Sequence, residues 1–117
     1  MKVIIAGSRS VMDPGQVAVA IHDSRFIVSE VVSGTARGVD RMGEAYAERR
    51  GIPVRRFPAD WDRFGRAAGM IRNAEMAKYA DALVAVWDGR SKGTDNMITT
   101  MRSLGKQVHI HIPEPGE

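Results

Sequence analysis

Cysteine is absent from the 117 residues. That excludes disulfide frameworks, thiolate metal centres, iron–sulfur clusters and cysteine nucleophiles. It also suits a reducing compartment, so the cytoplasm is the expected location. Long apolar runs are missing as well. None approaches the ~18 residues of a membrane span, so no membrane partner is expected. The opening Met1-Lys2-Val3-Ile4-Ile5-Ala6-Gly7 is too short for a secretory signal and lacks a cleavage region. There is little excess charge of either sign: 17 Lys and Arg oppose 14 Asp and Glu, for a net +3 and a pI near 9.7. The two signs are mixed along the chain, so charge alone does not argue for a nucleic-acid partner. Repeats, low-complexity tracts and linkers are lacking, and the length fits one domain.

What is present alternates between two hydrophobic periods. Short apolar runs are expected as strands at Lys2–Ala6, Glu30–Ser33, Pro53–Phe57, Ala82–Trp87 and Gln107–Ile112. Between them lie stretches of helical spacing. Asp13-Pro14 is a helix start, followed by Val17, Ala20, Ile21 and Ser24 on one face. Val39, Met42, Gly43, Tyr46, Ala47 and Arg50 form a second helix, stopped by Gly51. Ala67–Tyr79 and Thr94–Leu104 read as two more, the last closed by Gly105. Asp60 to Gly69 reads as the longest irregular stretch. Strand–helix alternation of this kind gives a single α/β domain: a Rossmann-like, doubly wound parallel sheet of about five strands with helices on both faces. The expected strand order is 3-2-1-4-5. The domain is expected over residues 1–112, with 113–117 as a frayed tail.

In such a sheet, ligands bind beyond the carboxyl ends of the strands, where the order reverses. The segments that follow the strands there are rich in glycine, hydroxyl and cationic residues: Gly7-Ser8-Arg9, Ser33-Gly34-Thr35-Ala36-Arg37-Gly38, Asp60-Trp61, and Asp88-Gly89 through Gly93-Thr94. Glycine lets the backbone approach an anion, the next helix offers free N–H groups, and Arg adds a planar fork. A plain turn explains any one of these segments; two glycine-rich turns on one rim argue for anion binding. Arg37, between Gly34 and Gly38, is the expected phosphate grip, with Arg37→Ala weakening binding by about 1.5–3 kcal/mol. Trp61 is either a stacking surface or a plug, and Phe64 reads as a plug. His109 and His111 share a strand face but have no third ligand near them, so no metal is expected. No cofactor is expected either. Met70, Met76, Met97 and Met101 either fill the core or supply an adaptable interface.

These motifs, with Gly65-Arg66-Ala67-Ala68-Gly69-Met70-Ile71-Arg72-Asn73 and Gly38-Val39-Asp40, resemble the YspA-like family of the SLOG superfamily. LOG phosphoribohydrolases, the DNA-processing protein DprA and molybdenum-cofactor carrier proteins belong to the same superfamily. The resemblance covers roughly residues 1–112 and implies binding of a nucleotide or nucleotide-derived ligand, of nucleotide-sugar or ADP-ribose type, to be sensed, sequestered or processed. It also implies a homo-oligomer and gives Arg72 and Asn73 a place in the site. The LOG hydrolases carry Met-x-x-Arg and then Pro-Gly-Gly-x-Gly-Thr-x-x-Glu. Here Arg72 and Gly93-Thr94 match, but the Glu position is Met97, and a thioether neither relays a proton nor stabilises an oxocarbenium ion. A hydrolase cleaving the N-glycosidic bond of a nucleoside monophosphate is therefore the alternative, with Arg72, Asp95 and Asp60 as its catalytic candidates. DprA-like binding of single-stranded DNA ranks third.

Overall fold

Five strands alternate with helices along the chain. In the computed structural model, which describes residues 1–113, the strands are β1 (Lys2–Gly7), β2 (Glu30–Ser33), β3 (Val54–Arg56), β4 (Ala82–Val86) and β5 (Gln107–His111). The helices are α1 (Pro14–Ser24), α2 (Val39–Arg50), α3 (Trp61–Phe64), α4 (Ala68–Tyr79) and α5 (Lys92–Ser103), with one 3-10 turn at Gly65–Ala67. All strand pairs are parallel and the order is β3-β2-β1-β4-β5, as expected from the sequence. Apart from Pro113, the expected tail lies outside the described residues.

The period of two along β1 divides the core. Val3 and Ile5 pack with Val17, Ala20, Ile21, Val39 and Ala47, which α1 and α2 bring to one face. Ile4 and Ala6 pack with Met76, Ala77, Met97, Ile98 and Met101, which α4 and α5 bring to the other. A strand covered on both faces must be apolar, and β4 and the part of β1 after Lys2 are. Met76, Met97 and Met101 are thus core residues; of the four methionines weighed as an interface, Met70 alone is exposed.

Helix ends follow local chemistry. The Asp13 side chain accepts from the Gly15 N–H at 2.9 Å and starts α1 at Pro14. Gly51, at φ 68°, ends α2. The end of α4 is fastened from outside, where Lys106 Nζ donates to the carbonyls of Ala77 and Ala80, both at 2.6 Å. The segment from Asp60 to Gly69 corrects the sequence reading, because most of it is helical. Asp60 accepts from the Arg63 N–H at 3.2 Å, which starts α3, and Gly65 at φ 55° turns the chain into the 3-10 turn that leads to α4. Phe64 is not a plug either: it is partly exposed, with the Arg63 guanidinium over its ring.

One glycine fixes how closely the layers meet at the carboxyl edge. A Cβ on Gly7 would lie 2.0 Å from the Val86 carbonyl oxygen and 2.8 Å from Val39 Cγ2. Gly93, inside the first turn of α5, would meet nothing. Gly7→Ala is therefore expected to destabilise the fold by about 1–3 kcal/mol or more through overpacking against backbone. Gly93→Ala is expected to leave stability unchanged or raise it by up to about 1 kcal/mol. Urea denaturation of both variants checks this, and equal midpoints would contradict it.

Candidate functional site

The order reverses between β1 and β4, the strands that diverge to α1 and α2 on one side and to α4 and α5 on the other. A cleft of about 410 Å³ opens at their carboxyl ends. Its floor is Ala6 and Gly7 from β1. One wall is Ala36 and Asp40, another is Arg72, Asn73 and Met76 from α4, and the third is Ser91, Gly93, Thr94 and Met97 at the start of α5. A side chamber of about 260 Å³ shares Arg9, Ala36 and Arg72 with the cleft. It runs under Trp61, between Gly34-Thr35 and Pro58-Ala59.

Each wall is held by hydrogen bonds that close within it. The buried Ser33 hydroxyl donates to Glu44 Oε2 at 2.6 Å and accepts from the Thr35 N–H at 3.1 Å; Arg56 Nε binds the other Glu44 oxygen at 2.9 Å. This fixes the turn after β2, where Thr35 takes φ 65° and Gly38 φ 77°. Gly38 has a second constraint, since its Cβ would lie 2.9 Å from the Ser8 carbonyl oxygen. On the opposite wall, the buried Ser8 Oγ accepts from the Asp88 N–H at 2.9 Å and lies 3.1 Å from Ser91 Oγ, which donates to Thr94 Oγ1 at 3.0 Å. Asp88 accepts from the Arg90 and Ser91 N–H groups, both at 2.8 Å, which together hold its carboxyl below the usual range. Asn73 Nδ2 ties α4 to α5 through the Gly93 carbonyl at 3.2 Å and Asn96 Oδ1 at 3.0 Å.

The electrostatic centre is Arg72 facing Asp40. Arg72 Nη1 donates to the Gly34 carbonyl, and Nε donates to Asn73 Oδ1 at 3.0 Å. Burial lowers its pKa, partly offset by the attraction of Asp40. Asp40 is 5% exposed and accepts from the Ala36 N–H at 3.1 Å through Oδ2. Burial pushes its carboxyl up to about 6, against the opposing pull of the Ala36 N–H and of Arg72. Between them sits Gly34, whose Cβ would lie 2.7 Å from Arg72 Nη1 and 2.9 Å from Asp40 Oδ2. A side chain here would push the end of Arg72 or Asp40 aside.

The structure brings many of the sequence-nominated residues together. Gly7, Arg9, Gly34, Thr35, Trp61, Arg72, Asn73, Asp88, Gly93 and Thr94 line the cleft or its side chamber. Ser8 and Ser33 lie behind the walls and shape them. Arg37 is exposed and stands outside both linings, as do Gly38, Asp60 and Gly89. Of the carboxylates considered for catalysis, Asp95 is exposed outside the cleft and Asp60 caps α3, while Met97 occupies the cleft wall where LOG hydrolases have Glu. His111 Nε2 pairs with Gln16 Oε1 at 2.7 Å on β5, away from the cleft. Sequence reasoning included Asp40 in a family motif but gave it no place in the site. The available signal was an acid directly after Gly38-Val39, on a helix whose apolar first residue must be buried.

The family described as YspA, cpYpsA-related SLOG matches residues 1–64, which include β1, the turn after β2, Asp40 and Trp61. The chain belongs to this SLOG family. It is also similar to the gene 61 protein of Mycobacterium phage D29, at 33% identity over 117 residues, covering 92% of this chain and 93% of that protein. No solved structure matches the chain. Among the described residues no helix is long and apolar enough to cross a membrane.

Asp40 gives this SLOG protein a pH-dependent stability. Its folded value lies above the ordinary 3.8, so the native state keeps a proton that the unfolded chain has lost. Stability is therefore expected to fall as pH rises from about 4 to about 6, by about 3 kcal/mol in all, and to stay lower above that window. Asp40→Asn keeps an acceptor for the Ala36 N–H and removes the charge. It is expected to melt higher than wild type at pH 7.5 and to lose the slope between pH 4 and 6. A variant that is less stable at pH 7.5 would contradict this.

Proposed function

We propose that the cleft binds a nucleotide or nucleotide-derived ligand, with its phosphate between Arg9 and the start of α5. The observation that carries this reading is the convergence of two glycine-rich strand-to-helix turns and two arginines on one cleft at the switch point. Membership of the SLOG family supports a nucleotide-related ligand. Arg9 is exposed, lines both cleft and chamber, and has no hydrogen-bond or ion-pair partner among the described residues. A guanidinium so placed is free to take phosphate in its fork. The Gly93 and Thr94 N–H groups lie in the first turn of α5, where anions are favoured. Trp61, 54% exposed at the chamber wall, offers a face to a base. Met76 and Met97 offer the cleft an apolar wall.

Cleavage of the N-glycosidic bond has less support, because Asp95 and Asp60 lie outside the cleft. Binding to sense or sequester is therefore the reading we adopt. The protein works in the cytoplasm on this account, as a homo-oligomer, without metal or nucleic acid.

Thermal melting and calorimetric titration with ATP, GTP, AMP, NAD and ADP-ribose test the proposal, since a ligand that binds only the native state must raise the melting point. No shift with any of them would defeat it. Arg9→Ala is expected to weaken the best ligand by about 1.5–3 kcal/mol, with stability within about 0.5 kcal/mol of wild type. Arg37, outside the lining, acts through its charge. Its Arg37→Ala loss is expected to shrink toward zero as salt rises, whereas the Arg9→Ala loss persists.

A further inference from the structure

Asp40 holds an acceptor that no described residue uses. Its Oδ2 takes the Ala36 N–H, while Oδ1 has no hydrogen-bond partner among the described residues. Yet no fully buried side-chain oxygen there lacks a partner. Oδ1 of this otherwise buried residue therefore opens to solvent, and the space beside it is the cleft that Asp40 lines.

The surroundings define what can meet that oxygen. An ionised carboxylate only accepts, so it selects a donor. A phosphate is repelled by it. A cationic group is disfavoured because Arg72 and Arg9 already face Asp40. What is left is a neutral donor. A base seeks a flat apolar face, which Trp61 provides, whereas the corner around Asp40 is made of Arg72, Arg9 and Ala36. Compact hydroxyls fit that corner. Asp88, the other carboxylate in the lining, also keeps one oxygen free, but it is not buried, so water competes there for any hydroxyl.

We propose that Asp40 reads the sugar of the ligand, accepting hydrogen bonds from the ribose hydroxyls, so that the site selects ribonucleotides over deoxyribonucleotides. This rests on the nucleotide reading of the cleft and adds the group that distinguishes sugars. It also accounts for a carboxylate kept where ionisation is unfavourable, the kind of cost that binding sites retain. Protonation replaces the acceptor with a donor. Selectivity therefore falls as pH drops through the range in which Asp40 takes up a proton. The charged groups that set that range are Arg72 on α4, Arg9 after β1 and Glu44 on α2.

The test titrates the wild-type protein and Asp40→Asn with the four ribonucleoside 5′-monophosphates and their 2′-deoxy counterparts, at pH 7.5 and pH 5. At pH 7.5 the wild type is expected to prefer the ribo form of its best nucleotide by about tenfold or more, since a site built for a hydroxyl is left unpaired without it. The preference is expected to drop to about twofold in Asp40→Asn and to shrink in the wild type at pH 5. The melting curve of Asp40→Asn separately reports that it is folded. Equal binding of ribo and deoxy forms by the wild type, or a preference that survives in folded Asp40→Asn, overturns the assignment while leaving the cleft a nucleotide site. Binding of no nucleotide at all overturns the nucleotide reading and this inference with it.

Discussion

The turn after β2 is held from both sides by opposite charges with no room between them. Arg72 grips the Gly34 carbonyl and Asp40 takes the Ala36 N–H, and Gly34 lies so close to both that any side chain would displace them. The rest of the carboxyl edge depends on this arrangement. It brings α4 against the β2 turn, and Arg72 lines both the cleft and the side chamber beside Arg9, which has no hydrogen-bond or ion-pair partner among the described residues. A buried donor or acceptor without a partner is costly, so the Ser33–Glu44–Arg56 and Ser8–Ser91–Thr94 networks that back the walls are themselves closed. The rigid scaffold is satisfied internally, and the groups left open are those facing the cleft.

That contrast links stability to function. Asp40 is held in a place where its charge is unfavourable, although an apolar or amide residue would fill the space. Proteins commonly retain such costs at sites where a ligand supplies the missing partner. The position of Met97 points the same way. Where the related hydrolases carry a carboxylate, this chain puts a buried thioether on the cleft wall, which supports the proposed reading of a binding site.

Much of this fold was legible because its signals are local. The apolar runs of β1 and β4 have no polar interruption, as strands covered on both faces require, and the stops at Gly51 and Gly105 mark helix ends by positive φ. The segment after Asp60 misled because Gly65 and Gly69 look like loop punctuation; the Asp60 cap on Arg63 was the overlooked helix signal. The rim of the site was legible from its glycines and hydroxyls. Which side chains enter the cleft was not, because that depends on how the turn after β2, α2 and α5 sit against the sheet. Asp40 and Arg37 lie three residues apart, yet one lines the cleft and the other faces solvent. Asp95 and Met97 on α5 divide in the same way.

The central claim is that these loops form one ligand site, and backbone NMR with residue-level assignment tests it most directly. On titration with AMP, the account expects the largest amide shifts at Ala36, Asp40, Gly93 and Thr94, together with the Arg72 Nε–H, and little change along β5 or at the Asp23–Arg25 end of α1. Shifts concentrated on β5 or spread evenly over exposed arginines would contradict a built nucleotide site at the β1–β4 switch point.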